Sequence, residues 1–216
     1  MFARWGRAGA VKVDNGEPFG DPMGKSIPTL ALWLISVGVI VIWNRPGQPT
    51  DNAVVERMQG TSKRWAEIAA SANCAQLQAR LNEVVRVQRM LYPVSRLGHR
   101  TRLEVYPALE GKKPIDAREH FNARRAYAYL AGTRLVRRVG KAGAVMLGGY
   151  PYQVGARYSG QQVWVGFDAN ERCWQIYDRN EGFIAEHKAK TMSPSHIWSM
   201  AVTRTEASKH SVEQIG

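Results

Sequence analysis

The stretch AVKVDNGEPFG, residues 10–20, decides how this chain is read. A short apolar run from Ala10 to Val13 ends at Asp14-Asn15-Gly16 and opens into a Gly/Pro loop. Asn-Gly is a strong turn signal, so a tight turn is one reading. The other is a ligand-binding aspartate at the carboxyl end of a strand, the edge at which open α/β sheets place their ligands. The flanking sequence has to separate the two.

Downstream lies IPTLALWLISVGVIVIWN, residues 27–44, 18 residues without a charge. That length is at the short limit for a membrane-spanning helix. Its halves differ in texture. PTLALWLISVG predicts a helix with Ser26 as N-cap, Pro28 in the first turn and Gly38 as the stop. VIVIWN is β-branched and continuous, which predicts a buried strand from Val39 to Trp43. Helix then strand is preferred to a membrane span. Upstream, FARWG (2–6) reads as a helix tail closed by Gly6. Beyond the NRPGQPT loop, Asp51 is the expected N-cap of a helix over NAVVERMQGTSKRWAEIAAS, residues 52–71. Strands alternating with helices argue for a parallel α/β sheet.

The rest of the chain changes character twice. Residues 76–133 begin helical and basic, AQLQARLNEVVRVQRML, and are then broken by Pro93, Pro107 and Pro114. From about residue 134, RLVRRV, AVML, YQVG, QVWVGF, CWQIYD and FIAEH are short β-rich runs separated by turn signals such as DANER and DRNEG, which predicts a small barrel over 134–190. Residues 191–216 carry no strong pattern and read as a tail. Of 216 residues, 30 are Lys or Arg and 18 Asp or Glu, a formal charge of +12. Residues 80–141 hold 15 basic against 5 acidic residues, so ten of the twelve net charges lie there. A basic segment between two nearly neutral modules points to an acidic partner, nucleic acid or a membrane surface. Cys74 and Cys173 form neither a disulfide framework nor a zinc spacing, and a reducing cytoplasm is the expected compartment. No secretory signal is read at the N-terminus.

Two carboxylates stand out. Asp14 follows a strand, and Glu56 lies in the first turns of the helix after NRPGQPT. Carboxylates sharing a site bind Mg²⁺ or Mn²⁺, which prefer oxygen ligands. On that helix Val54, Met58 and Trp65 form a side expected to pack on the sheet. Glu56, Gly60 and Lys63 share another face by their i, i+4, i+7 spacing. A solvated face with a tolerated glycine explains that pattern; so does close approach of a ligand backbone with Lys63 on a phosphate.

VDNGEPFG, then PTLALWLISVGV, then NRPGQPTDNAVVER closely resembles the second half of the catalytic core of DDE integrases and transposases, in particular bacterial insertion-sequence transposases with a retroviral-integrase-like core. The resemblance covers about residues 2–65. It implies a partial RNase H-like fold over residues 1–75, with Asp14 as the second metal-binding aspartate and Glu56 as the metal-binding glutamate. It also implies Mg²⁺ or Mn²⁺ in the intact family site. Asn52 and Arg57 flank Glu56 in the family manner, and Lys63 and Arg64 are the expected DNA-facing basic residues. YPVSRLGHRTRLEVYPAL (92–109) is similar, less specifically, to the segment after such cores. The β-rich stretch resembles the SH3-like barrel that often follows. Trp164, Trp174 and Tyr177 could stack on bases, but alternation in a barrel favours core positions for the tryptophans.

The family chemistry uses three carboxylates, and no Asp or Glu precedes Asp14. The chain is therefore expected to be an N-terminally truncated transposase, catalytically incomplete alone, with DNA as partner and a second copy or a full-length transposase as further partners. Loss of the antiparallel half of the sheet should expose apolar side chains of AVKV and VIVIW. A DNA-binding regulator that pairs with a full-length transposase is the alternative. A membrane-anchored basic protein is a third reading.

Overall fold

The computed structural model describes residues 6–16, 18–20, 26–110 and 114–201. The fold is mixed α/β. The chain divides into two units, one built from Asn44–Ile115 with the residues before Ala8 and the other from Ala8–Trp43 together with the chain from Asp116 onward. The helix expected over residues 2–6 lies, except for Gly6, outside the described residues.

The second unit begins with strand β1 (Ala10–Val13), helix α1 (Thr29–Ser36) and strand β2 (Ile40–Trp43). The strands pair in parallel with Ala10 opposite Ile40 and Val13 opposite Trp43. A parallel pair needs a crossover, and α1 lies within it. The helix starts later than the sequence predicts. Pro28, not Ser26, occupies the N-cap position, and no side chain caps it. The Pro18 carbonyl accepts the Leu30 N–H at 3.1 Å, so the loop after Asp14 satisfies one N-terminal donor. The stop is the one predicted. Gly38 has φ +79°, its N–H donates to the Ile35 carbonyl, and the Val39 N–H donates to that of Leu34. This pair of bonds is a Schellman motif with glycine in the left-handed position.

The 10–20 stretch is both strand and turn. Phe19 and Gly20 donate back to the Gly16 carbonyl at 2.8 and 3.0 Å. The Trp43 indole donates to the Phe19 carbonyl at 3.0 Å and ties the loop to β2. Gly20 has φ +80°, and a Cβ there would sit 2.4 Å from the Pro28 Cβ. Gly20→Ala should therefore destabilise this unit by about 2 kcal/mol, combining left-handed strain with overlap. Urea unfolding measures this; a loss under about 0.5 kcal/mol would mean the loop yields freely.

The expected burial of β2 does not hold. Ile40 is 65% and Ile42 48% exposed. The strand alternates between exposed and half-buried positions because it belongs to a two-stranded sheet. Trp43, on the better-covered side, stacks on Tyr129 at 5.6 Å. Exposed apolar side chains on VIVIW were the competing expectation. Among the described residues no helix is long and apolar enough to cross a membrane; the uncharged stretch 27–44 instead holds α1, Gly38 and β2.

Helix α5 (Ala123–Ala131) lies within the basic segment yet packs in this unit's core. Ala123, Ala126, Tyr127 and Leu130 are buried at helical spacing, and the Asn122 side chain caps the helix by accepting the Arg124 N–H. It lies against α1 and against an antiparallel sheet ordered β3–β6–β7–β8: Leu135–Arg138, Gln162–Asp168, Cys173–Tyr177 and Phe183–Lys188. Strands β4 (Ala144–Leu147) and β5 (Tyr150–Gln153) form a separate antiparallel pair, so the strands do not close into a hydrogen-bonded barrel. All six β-rich runs form strands. On β6, Val163, Val165 and Phe167 point into the core and alternate with less buried neighbours. Two predicted turns are closed by their aspartates. Asp168 accepts the N–H groups of Asn170 and Glu171, and Asp178 those of Asn180 and Gly182.

Residues 191–199, read in the sequence as the start of a patternless tail, supply Met192 and Ile197 to the core. Helix α6 (Pro194–Ser199) is capped by the Ser193 hydroxyl, and Trp198 lies 6.0 Å from Trp33 and 5.3 Å from Phe121. The remainder of the tail, 202–216, lies outside the described residues.

Candidate nucleic-acid interface

The Asn44–Ile115 unit carries most of the predicted site. Its loop into helix α2 (Ala53–Ala66) is clamped at the base. Arg45 donates from its backbone N–H and its Nε to Asp51 Oδ2, and from Nη2 to Oδ1 at 2.9 Å. This pairing raises the Arg45 pKa, chiefly through the hydrogen bond. It also corrects the role of Asp51. A carboxylate engaged by Arg45 sits in a 3₁₀ turn (Pro49–Asp51), and Asn52 takes the N-cap position. Asn52 does not cap with its side chain; its Oδ1 accepts from Asn44 Nδ2 at 2.6 Å. Asn52 thus ties the helix start to Asn44, at the beginning of the loop.

Glu56 follows in the first turn of α2, where a carboxylate is favoured by the helix dipole, and it is exposed. Gly60 and Lys63 are exposed on the same face. A Cβ added at Gly60 would meet nothing within 4 Å, so no contact inside the protein requires glycine there. Arg57 and Arg64 are exposed beside that face, and Lys63 and Arg64 occupy the last turn, where cations are favoured.

The opposite side of α2 does not behave as a core face. Met58 is 49% and Trp65 40% exposed. Both line a cavity of about 420 Å³ with Tyr92, Arg96 and Arg102 instead of disappearing into a sheet. The Val54 side chain, the third member of that expected face, lies outside the described residues. The second wall of the cavity comes from helix α3 (Cys74–Met90) and the chain after it. Asn73 caps α3 by accepting the Gln76 N–H, and buried Gln88 donates to Ser62 Oγ at 3.1 Å. Glu67, with φ +46° at the end of α2, pairs with Arg80 of α3 at 2.9 Å.

After α3 the chain turns tightly. Val94 bridges Arg100 around Gly98 and His99, both at positive φ. The short helix α4 (Arg102–Val105) then opens with a capping box. Thr101 Oγ1 accepts the Glu104 N–H, and the Glu104 carboxylate accepts that of Thr101 at 2.6 Å. The Thr101 N–H holds the Glu104 carboxyl below its ordinary pKa. Arg102 is directed inward and donates to the Gln88 carbonyl at 2.7 Å. Arg96, Arg100 and Arg102 were not singled out from the sequence; the signal was the basic density of SRLGHRTR.

Asp14 is the one predicted site residue in the other unit. It is exposed immediately after β1. Among the described residues no three His, Cys, Asp or Glu side chains form a group that could hold a metal ion. The basic segment 80–141 is also divided, since Arg118, Arg124, Arg125, Arg134, Arg137, Arg138 and Lys141 belong to the unit that holds the antiparallel sheet. There Arg137 is half-buried, and burial pushes its pKa down. Trp174 is a core residue, with Phe167 edge-on at 5.0 Å. Trp164 is only half-buried and lines a separate cavity with Tyr177. No protein-family model matches this chain, and no curated protein matches it.

Proposed function

We propose that this chain is a DNA-binding protein carrying the Asp14 and Glu56 part of a DDE transposase core. One observation supports this above the others. Strand β1 leads directly into Asp14 and runs parallel to β2 across a helical crossover, and a Pro/Gly loop then leads into the helix whose first turn holds Glu56. That order is the one the sequence resemblance requires. In this reading β1, α1, β2 and α2 are RNase H-like elements, and the antiparallel sheet with its β4–β5 hairpin is an SH3-like module. Asn52, Arg57, Lys63 and Arg64 meet DNA. Mg²⁺ or Mn²⁺ is the ion of the intact family site. Asp14 and Glu56 are two of the three carboxylates which that site uses, and two alone do not build a paired-ion site. Phosphate binding is the activity this reading assigns to the basic residues named here.

Incubated with duplex DNA and Mg²⁺ or Mn²⁺, the full chain is expected to retain DNA at low salt and leave it uncut. Absence of retention overturns the reading. Strand transfer abolished by Asp14→Ala or Glu56→Ala would instead make this chain a working enzyme. A second reading, a regulator that pairs with a full-length transposase, is favoured by the exposed Ile40 and Ile42 of β2. Inhibition of such a transposase by added chain selects it.

A further inference from the structure

We propose that the cavity between α2, the end of α3 and the 95–102 turn binds an unpaired nucleotide, so that the protein holds single-stranded DNA at a place distinct from the Glu56 face. The proposal rests on the DNA-binding reading and adds a site to it. At 100° per residue, Met58 and Trp65 lie on the side of α2 opposite Glu56, Gly60 and Lys63, with Arg57 at the border.

The chemistry of the cavity is specific. Trp65 and Tyr92 meet edge to face, with centroids 5.3 Å apart and planes at 66°. Both remain substantially exposed, 40% and 47%, although each is large and apolar enough to be buried. Around them stand Arg57, Arg96 and Arg102, and among the described residues no Asp or Glu lines the cavity. None of these three arginines forms an ion pair among the described residues, whereas Arg45, Arg80 and Arg86 each have a carboxylate. The capping box of α4 and the bond to Gln88 hold Arg102 in place without consuming its charge. The volume, about 420 Å³, suits one small ligand. Exposed aromatic rings with convergent guanidinium groups that no described carboxylate neutralises match a base that stacks and a phosphate that is held. A protein partner with an apolar patch would leave three like charges uncompensated at the contact.

The test is anisotropy titration of the full chain with a labelled 12-nucleotide oligo-dT and with a blunt duplex, at one low salt concentration. Trp65→Ala should weaken oligo-dT binding about tenfold and change duplex binding less than about twofold. Trp65→Phe should restore most of the loss. Tyr92→Ala, outside the helices, should act in the same direction if Trp65→Ala disturbs folding, and Arg96→Ala should weaken oligo-dT binding by a smaller factor. Wild-type affinity of Trp65→Ala and Tyr92→Ala for oligo-dT, with duplex binding intact, overturns the nucleotide site and leaves the DNA-binding reading standing. Equal loss on both probes overturns it too, since the cavity would then serve duplex contact. Failure of the wild type to bind either probe overturns both readings. Self-association that Trp65→Ala abolishes, with both DNA affinities unchanged, would make the surface a protein interface and overturn the proposal.

Discussion

Raising monovalent salt from 50 to 200 mM should weaken duplex binding by the full chain about fortyfold. The figure follows from three side chains on or beside the Glu56 face of α2: Arg57, Lys63 and Arg64. None is in an ion pair among the described residues. If each neutralises one phosphate, counterion release gives a slope of about −2.7 in log affinity against log salt. Replacing any one by Ala should reduce the slope by about 0.9 and weaken binding uniformly across sequences. Arg86 provides the control. Glu83 already engages its guanidinium at 2.7 Å, raising the arginine pKa, and the hydrogen bond lowers that of the glutamate. Arg86→Ala should leave the slope nearly unchanged. Titrations at four salt concentrations measure this. A wild-type slope shallower than one phosphate would show that these three residues do not form the contact.

The largest stability effect should come from Trp174→Ala, a loss of about 3–5 kcal/mol. The indole is 1% exposed, packs edge-on against Phe167, and belongs to the cluster that joins α5 to the sheet. Its removal leaves a cavity beside Phe167 in that closely packed cluster. Trp164→Ala should cost about 1 kcal/mol or less, because Trp164 faces the other side of β6 and its loss removes mainly the cross-strand pair with Tyr177. Urea unfolding of the two variants distinguishes these roles. A small loss for Trp174→Ala with a large loss of DNA binding would instead make Trp174 a stacking surface.

The two tryptophans show where sequence reading stops. Alternation places both in a strand, and both are expected in the core on that ground. Only the registry of β6 with β3 and β7, and the choice of face that α5 covers, make Trp174 buried and Trp164 half-buried. Helix α2 gives the same lesson. Its apolar stripe is legible at Met58 and Trp65, but periodicity does not say whether a stripe meets a sheet or borders a cavity.

What the sequence by itself determined has local causes. Strand β1 and its turn, the stop of α1 at Gly38 and the six short strands with their aspartate-closed turns all depend on residues a few positions apart. The composition of the candidate site, with Glu56 in a first helical turn and Lys63 on its face, was legible for the same reason. Tertiary structure alone decided the grouping. The β1–α1–β2 segment belongs with α5 and the antiparallel sheet, while α2 belongs with α3 and α4, so Asp14 and Glu56 fall in different units. It also decided that Ile40 and Ile42 are exposed, that Met192 is core, and that Arg102 turns toward the Trp65 cavity. Which apolar face meets which is settled by burial between segments distant in the chain, where the free energy depends on shape and complementary area. Local propensity and spacing carry no record of that choice.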